Sequence, residues 1–231
     1  MSQQPPPTFN PRLVPAQPAP AHELAVDAAC LTAAAIRSRF GAAVQWTPDV
    51  VQEPSWGLVE GLRRAAVLVA LVQRDELHVV LTHRSAHLPT HAGQVAFAGG
   101  KIDASDASAE AAALREAHEE IGVPPAGVSV FGRLTDYTTG TGFHITPVVA
   151  LLAAGTRYLP EAGEVDQVFE VPLSFVADPA NHRRHEATRD GITRQWWSMP
   201  YTDASGQEHF IWGATAGMLR NFYQFLRAPM P

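Results

Sequence analysis

Gly99-Gly100-Lys101-Ile102-Asp103-Ala104-Ser105-Asp106, followed over 112–123 by Ala112-Ala113-Leu114-Arg115-Glu116-Ala117-His118-Glu119-Glu120-Ile121-Gly122-Val123, is the stretch on which the reading of this chain turns. Helical spacing places Glu116, Glu119 and Glu120, at i, i+3 and i+4, on one face. Three like charges there repel and cost stability unless a cation offsets them. Carboxylate oxygens are hard donors that suit Mg²⁺ or Mn²⁺. Arg115 is placed to pair with one of these carboxylates or with a substrate phosphate. Ser105 or Ser108 is placed to cap the helix start, and Gly122 suits its C-terminal end. The Gly99-Gly100 pair lets the backbone approach a ligand closely. The spacing predicts a helix over 108–120.

Outward from this stretch, residues 65–72 (Ala-Ala-Val-Leu-Val-Ala-Leu-Val) form an apolar run of buried-strand length, and Leu77 to Thr82 is a second strand. Further strands are predicted at Val128–Arg133, Ile145–Leu152 and Val168–Val171. A hairpin is predicted from Trp196–Tyr201 and His209–Trp212 around Asp203-Ala204-Ser205-Gly206. A last helix runs from Ala214 to Leu226, with Met218, Leu219, Phe222, Phe225 and Leu226 on one face. Leu24, Ala28, Leu31, Ala35 and Phe40 predict another helix over 22–39. Strands outnumber helices and βαβ alternation is sparse, which favours an α+β arrangement over a doubly wound sheet.

Seven of the 19 prolines fall in residues 1–20. Proline removes backbone donors and fixes φ, so this segment is expected to be an extended, mobile leader. The expected organisation is a Pro-rich leader at 1–20, a helical extension at 21–58 and the main domain at 59–231.

The 231 residues carry 17 Lys+Arg against 23 Asp+Glu, a formal charge of −6. That balance argues against a general phosphate-backbone binder, so no nucleic-acid partner is expected. The charge is concentrated: residues 101–123 hold six acids against two bases, −4 of the −6. The single cysteine, Cys30, excludes a disulfide framework and is expected to be a small buried apolar residue. No apolar run reaches transmembrane length and no secretory signal pattern is visible. A cytoplasmic protein with no membrane partner is expected.

Arg115-Glu116-x-x-Glu119-Glu120-x-Gly122, preceded by Gly99-Gly100, resembles the Nudix box. The chain departs from the general pattern at Asp106, where Glu is usual, and at Ala117, where a larger aliphatic is typical. One extra residue also separates Asp106 from Arg115. Upstream, Leu81-Thr82-His83-Arg84-Ser85 and Gly93-Gln94-Val95-Ala96-Phe97-Ala98-Gly99-Gly100 look like the motif of the coenzyme A pyrophosphatase subgroup. So does Gly99-Gly100-Lys101-x-Asp103-x-x-Asp106. Here Pro89 replaces a basic residue and Ala98 a proline; His87 and His91 are nearby alternatives for the lost basic group. Downstream, Gly142 to Ala150, Glu164-Val165, Val171 to Phe175 and Ile211 to Ala216 are similar to the same subgroup, so the resemblance spans roughly 60–227.

The resemblance implies a Nudix fold, with a mixed β-sheet between helices (α/β/α). It also implies Mg²⁺- or Mn²⁺-dependent hydrolysis of a CoA-like nucleotide substrate. Coenzyme A would be cut to 3′,5′-ADP and 4′-phosphopantetheine; ADP-ribose, NADH or another nucleotide is the alternative substrate, and a non-catalytic ligand-sensing domain the alternative role. Glu116 and Glu120 are the main metal ligands it implies. Glu119 is an auxiliary ligand or base, and Arg115 belongs to the catalytic set. Arg84, Gly99, Gly100 and Lys101 are the implied substrate contacts. Glu164 is a further candidate base. The helical extension packs on the core or serves a homodimer.

Overall fold

The computed structural model describes residues 9–42, 44–55, 61–88, 90–189 and 191–231. Pro5, Pro6, Pro7, Pro89 and the expected boundary at 58/59 lie outside the described residues. In chain order the elements begin with strand β1 (Ala16–Pro18), helix α1 (Ala33–Gly41), β2 (Arg63–Gln73), β3 (Leu77–Arg84), β4 (Val95–Ala96) and β5 (Ala98–Lys101). Helix α2 (Ala109–Ile121) leads into β6 (Val128–Arg133), β7 (Tyr137–Thr138), β8 (Phe143–Leu152) and β9 (Val165–Pro172). The chain continues with the single-turn helix α3 (Leu173–Val176), β10 (Arg183–Arg189), β11 (Ile192–Thr202), β12 (Glu208–Trp212) and helix α4 (Gly213–Arg227).

The main sheet runs β4-β3-β2-β8-β6, with β5 also on β2, β7 on β8 and β9 on β3. It is mixed: β2 and β8 are parallel, and the other pairs are antiparallel. The period-2 pleat of its two central strands explains why two cores form. Ala66, Leu68, Ala70 and Val72 of β2, with Val148, Ala150 and Leu152 of β8, meet Ala109, Ala112, Ala113, Ala117 and Ile121 of α2. The alternate residues Val69, Leu71 and Val149 face a second core, built with Ile36, Met199, Ile211, Leu219 and Phe222. The α+β class and the mixed sheet between helices are therefore present. The second face is covered not by helices alone but also by a four-stranded sheet, β1-β10-β11-β12.

Two expectations near the N-terminus are corrected. The helix predicted over 22–39 is confined to α1, because Thr32 caps it, its hydroxyl accepting from the Ala35 N–H. Ahead of it, Leu24 is exposed and the Val26 N–H donates to Ala177 O. Cys30, expected to be buried, is only partly so. Of the segment expected to be a Pro-rich leader, the described residues begin at Phe9. A 3₁₀ turn at Pro11–Leu13 precedes β1, which pairs with Arg183–His185 of β10. Phe9 packs edge-on against Trp196. Proline is compatible with both placements: it suits the first turn of a helix and the edge of a sheet.

Candidate active site

Helix α2 begins at Ser108, whose hydroxyl accepts from the Ala111 N–H at 3.2 Å. It ends at Gly122 in the left-handed region (φ 69°). There the Gly122 N–H donates to His118 O and the Val123 N–H to Ala117 O, a Schellman closure. The helix lies on β5 and β2, so its carboxylates face the Gly99-Gly100 strand.

The three glutamates stand in different surroundings. Glu120 is buried, and one of its oxygens accepts from the Gly99 N–H at 3.0 Å. Its other oxygen lies 3.7 Å from Arg84 Nη1. Burial pushes its carboxyl up to about 7, reinforced by the charges of Glu116 and Glu164 and opposed by the Gly99 hydrogen bond and Arg84. Glu116 is partly buried, and burial raises its carboxyl too, against the pull of Arg115. Glu119 is more than half exposed and pairs with Arg115 at 2.9 Å.

Arg115 ties the loop to the helix. It holds Asp106 through both oxygens (Nε–Oδ1 3.1 Å, Nη2–Oδ2 3.0 Å), donates to Lys101 O and reaches Glu116 at 3.0 Å. The Arg115 hydrogen bonds hold the Asp106 carboxyl below its usual range. The bidentate geometry gives Asp106 a structural partner although it is shorter than the usual Glu. The buried Ala117 lies in the α2 core beside Ala113, where the close approach of helix to sheet leaves room for a methyl side chain. Ala98 keeps the N–H that the usual proline lacks and pairs with Leu68 in the β2–β5 ladder.

Gly99 and Gly100 are required by contact. Gly99 has φ 156°, and a Cβ there would come within 2.5 Å of Ala66 O. A Cβ on Gly100 would come within 2.6 Å of Glu116 Oε1. Gly100→Ala must therefore displace a flexible carboxylate while leaving the ladder intact. We expect a melting temperature close to the parent's and a loss of about 10- to 100-fold in metal-activated turnover, the range seen when a ligand's support is disturbed. Titration of activity with Mg²⁺ checks this, and unchanged activation by metal would refute it.

The donor chemistry fits a hard divalent ion: Glu116 and Glu120 are oxygen donors on one helix face whose mutual repulsion a cation relieves. Their present arrangement is not a formed cage. Arg115 engages Glu116 and Glu119, and Glu120 is turned to Gly99. Among the described residues no three acidic, His or Cys side chains converge to hold an ion.

Arg84 stands at the end of β3 beside Glu120, and its Nε is buried with no hydrogen-bond partner among the described residues. The Lys101 side chain is exposed. Glu164 is exposed but close enough to raise the Glu120 carboxyl; its carbonyl accepts from the Ser85 N–H. His87 and His91 are both exposed, and His91 bonds Gln94.

Sequence reasoning missed several polar groups. Glu53 is buried and accepts from Tyr137 OH (2.7 Å), Gly140 N–H (3.0 Å) and Arg194 (2.9 Å). His83, His209 and Asp203 form a hydrogen-bonded chain at 2.8 and 2.9 Å. Neither has a local spacing that marks it, since the partners come from separate elements.

A mixed sheet bearing a carboxylate helix over a glycine strand, with arginines on both sides, gathers groups suited to binding phosphates and a hard divalent ion. The NUDIX domain model matches residues 62–205. The chain is 42% identical over 158 residues to an uncharacterized Nudix hydrolase, NudL, of Escherichia coli K12, covering 68% of this chain and 80% of the relative. It is 44% identical over the same shares to the NudL of Citrobacter koseri. Among solved structures, a Nudix hydrolase of M. smegmatis, RenU, matches at 28% identity and a TM-score of 0.44, over 54% of this chain and 81% of that one. The chain belongs to the Nudix family and is a diphosphatase of that family. Nudix hydrolases generally use divalent cations and act on nucleotide derivatives. No helix among the described residues is long and apolar enough to cross a membrane.

Proposed function

We propose that this chain hydrolyses the pyrophosphate of coenzyme A or its acyl derivatives, giving 3′,5′-ADP and 4′-phosphopantetheine or its acyl form. The observation that carries this is the meeting of Arg84 with Glu120 and Gly99. It brings the upstream motif, the glycine strand and the box helix to one point. Glu116 and Glu120, with Glu119 as auxiliary, would hold Mg²⁺ or Mn²⁺, which would supply charge neutralisation for the pyrophosphate and activation of water.

The chain's own groups do the positioning. Arg115 fixes the loop 101–106 against α2. Arg84, partly exposed beside Glu120, offers its guanidinium to a phosphate oxygen. Gly99 and Gly100 keep side chains out of the approach, and Lys101 adds a cation beside it. Glu119 or Glu164 takes the proton from water. The setting is cytoplasmic.

The test is a panel of coenzyme A, acetyl-CoA, ADP-ribose and NADH, compared by kcat/KM with products identified. Coenzyme A or its acyl form should lead by at least about tenfold, a difference of 1.4 kcal/mol in transition-state binding. Preference for ADP-ribose or NADH would replace the substrate and keep the chemistry. Tight ligand binding without turnover in either metal would make this a sensing domain.

A further inference from the structure

Most arginines near this end of the molecule have an assigned partner. Arg84 has Glu120, Arg115 has Asp106 and Glu116, Arg133 has Glu110, and Arg63 donates to Thr141 O and lies over the Phe143 ring. Arg64 does not. Its side chain is exposed and makes no hydrogen bond or ion pair among the described residues. An arginine left unpaired beside an acidic cluster needs a reason.

Its position supplies one. On β2, Ala66, Leu68, Ala70 and Val72 all face α2. By the pleat, Arg64 belongs to that same face, one same-face step of roughly 7 Å beyond Ala66. Ala66 pairs with Gly100, whose backbone lies against the Glu116 carboxylate. A pyrophosphate held over Glu116 thus leaves Arg64 one step along the sheet.

Two more groups flank the spot. Lys101, exposed, pairs with Ala65 next to it, and the Ile102 N–H donates to Arg64 O. His144 stands directly opposite Arg64 in the parallel β2–β8 ladder. It is held by Thr138 Oγ1 on one ring nitrogen and Asp136 on the other, at 3.1 Å each. Thr146, opposite Ala66, holds the second Asp136 oxygen at 2.7 Å. Asp136 is thereby committed to His144 and Thr146, and Glu119 to Arg115.

We propose that Arg64, flanked by Lys101 and His144, anchors a second phosphate of the substrate, a monoester separate from the pyrophosphate. A guanidinium is suited to this because its donors match phosphate oxygens in pairs. The inference rests on the proposed function only in taking a phosphoric anhydride as substrate. It selects among such substrates those that carry an extra phosphomonoester.

The experiment uses the full chain with Mg²⁺ and two kinds of probe. Calorimetry compares 3′,5′-ADP with AMP, which differ by one phosphate. Turnover compares coenzyme A with dephospho-CoA, and NADPH with NADH. The parent should favour the extra phosphate. Arg64→Gln should cut that preference about tenfold, as expected for one charge-assisted hydrogen bond, and Arg64→Lys should restore part of it. Arg183→Gln, an exposed arginine on β10, controls for loss of charge alone.

A parent without preference for 3′,5′-ADP over AMP overturns the proposal. So does a folded Arg64→Gln variant that keeps the parent's preference. Failure to cleave coenzyme A removes the substrate assignment, yet the calorimetric comparison still reads Arg64.

Discussion

Glu120→Gln is expected to lower Mg²⁺- or Mn²⁺-dependent turnover by about 10³-fold or more while making the metal-free protein more stable at pH 8. The two effects have one cause. Glu120 is buried next to Glu116, so its carboxyl is pushed up to about 7 from an ordinary value of 4.5. In the metal-free protein the folded state therefore holds a proton that the unfolded state has released between those two values. A folded-state value raised in this way means that the favourable contribution is complete below about 4.5 and is lost as pH rises through about 7. The loss is about 3 kcal/mol for this one group. A glutamine keeps an oxygen for the Gly99 N–H and carries no charge to desolvate, so it escapes the loss. It cannot serve as an anionic ligand, and turnover falls with it. Melting in chelator at pH 5 and pH 8, alongside kcat at saturating metal, reads both effects. A folded variant with parental turnover would falsify the ligand role; an unchanged dependence of stability on pH would remove the burial argument.

The box was legible because all its information is local. Carboxylates at helical spacing, a serine cap and a closing glycine lie within about four turns of one helix, and periodicity reads such a segment directly. The central strands were legible as apolar runs. The polar strand β10, Arg183–Arg189, was not, because its mostly exposed residues leave no hydrophobic alternation to detect. Helix 22–39 was overextended for the opposite reason: apolar residues at near-helical spacing include Leu24, which points to solvent. At the site, the contact of Arg84 with Glu120 depends on how β3 and α2 are brought together by the sheet. Only resemblance could join them beforehand. The absence of a formed cation cage around the glutamates was not legible either, since it depends on which partners Arg115 selects.

Arg220→Ala is expected to cost about 3–5 kcal/mol of stability, the range for stripping a buried charge network of one member, and to lower the melting temperature by about 10 °C. Arg220 is 1% exposed on α4. Its guanidinium bonds Glu23 and Asp49, donates to His182 Nδ1 at 2.9 Å and lies 4.4 Å from the Trp197 ring centre. Burial, with Arg220 alongside, pushes His182 down to about 4, so the ring is neutral and accepts that bond while its other nitrogen donates to Val176 O. Glu23 and Asp49 come from the N-terminal extension, and Arg220 from the last helix; both lie outside residues 62–205. Asn221 adds to the clasp, accepting from the Asp49 and Val50 N–H groups. The extension is therefore fastened to α4 by a hub whose carboxylates become uncompensated once the arginine is gone. Neutralising them tests this directly: Arg220→Met with Glu23→Gln and Asp49→Asn should recover much of the loss, because the carboxylate charges that faced the arginine are then gone. Denaturant unfolding of the single and triple variants gives the comparison. A loss under about 1 kcal/mol in Arg220→Ala, or a triple variant no more stable than Arg220→Met, would show that packing alone holds the extension in place.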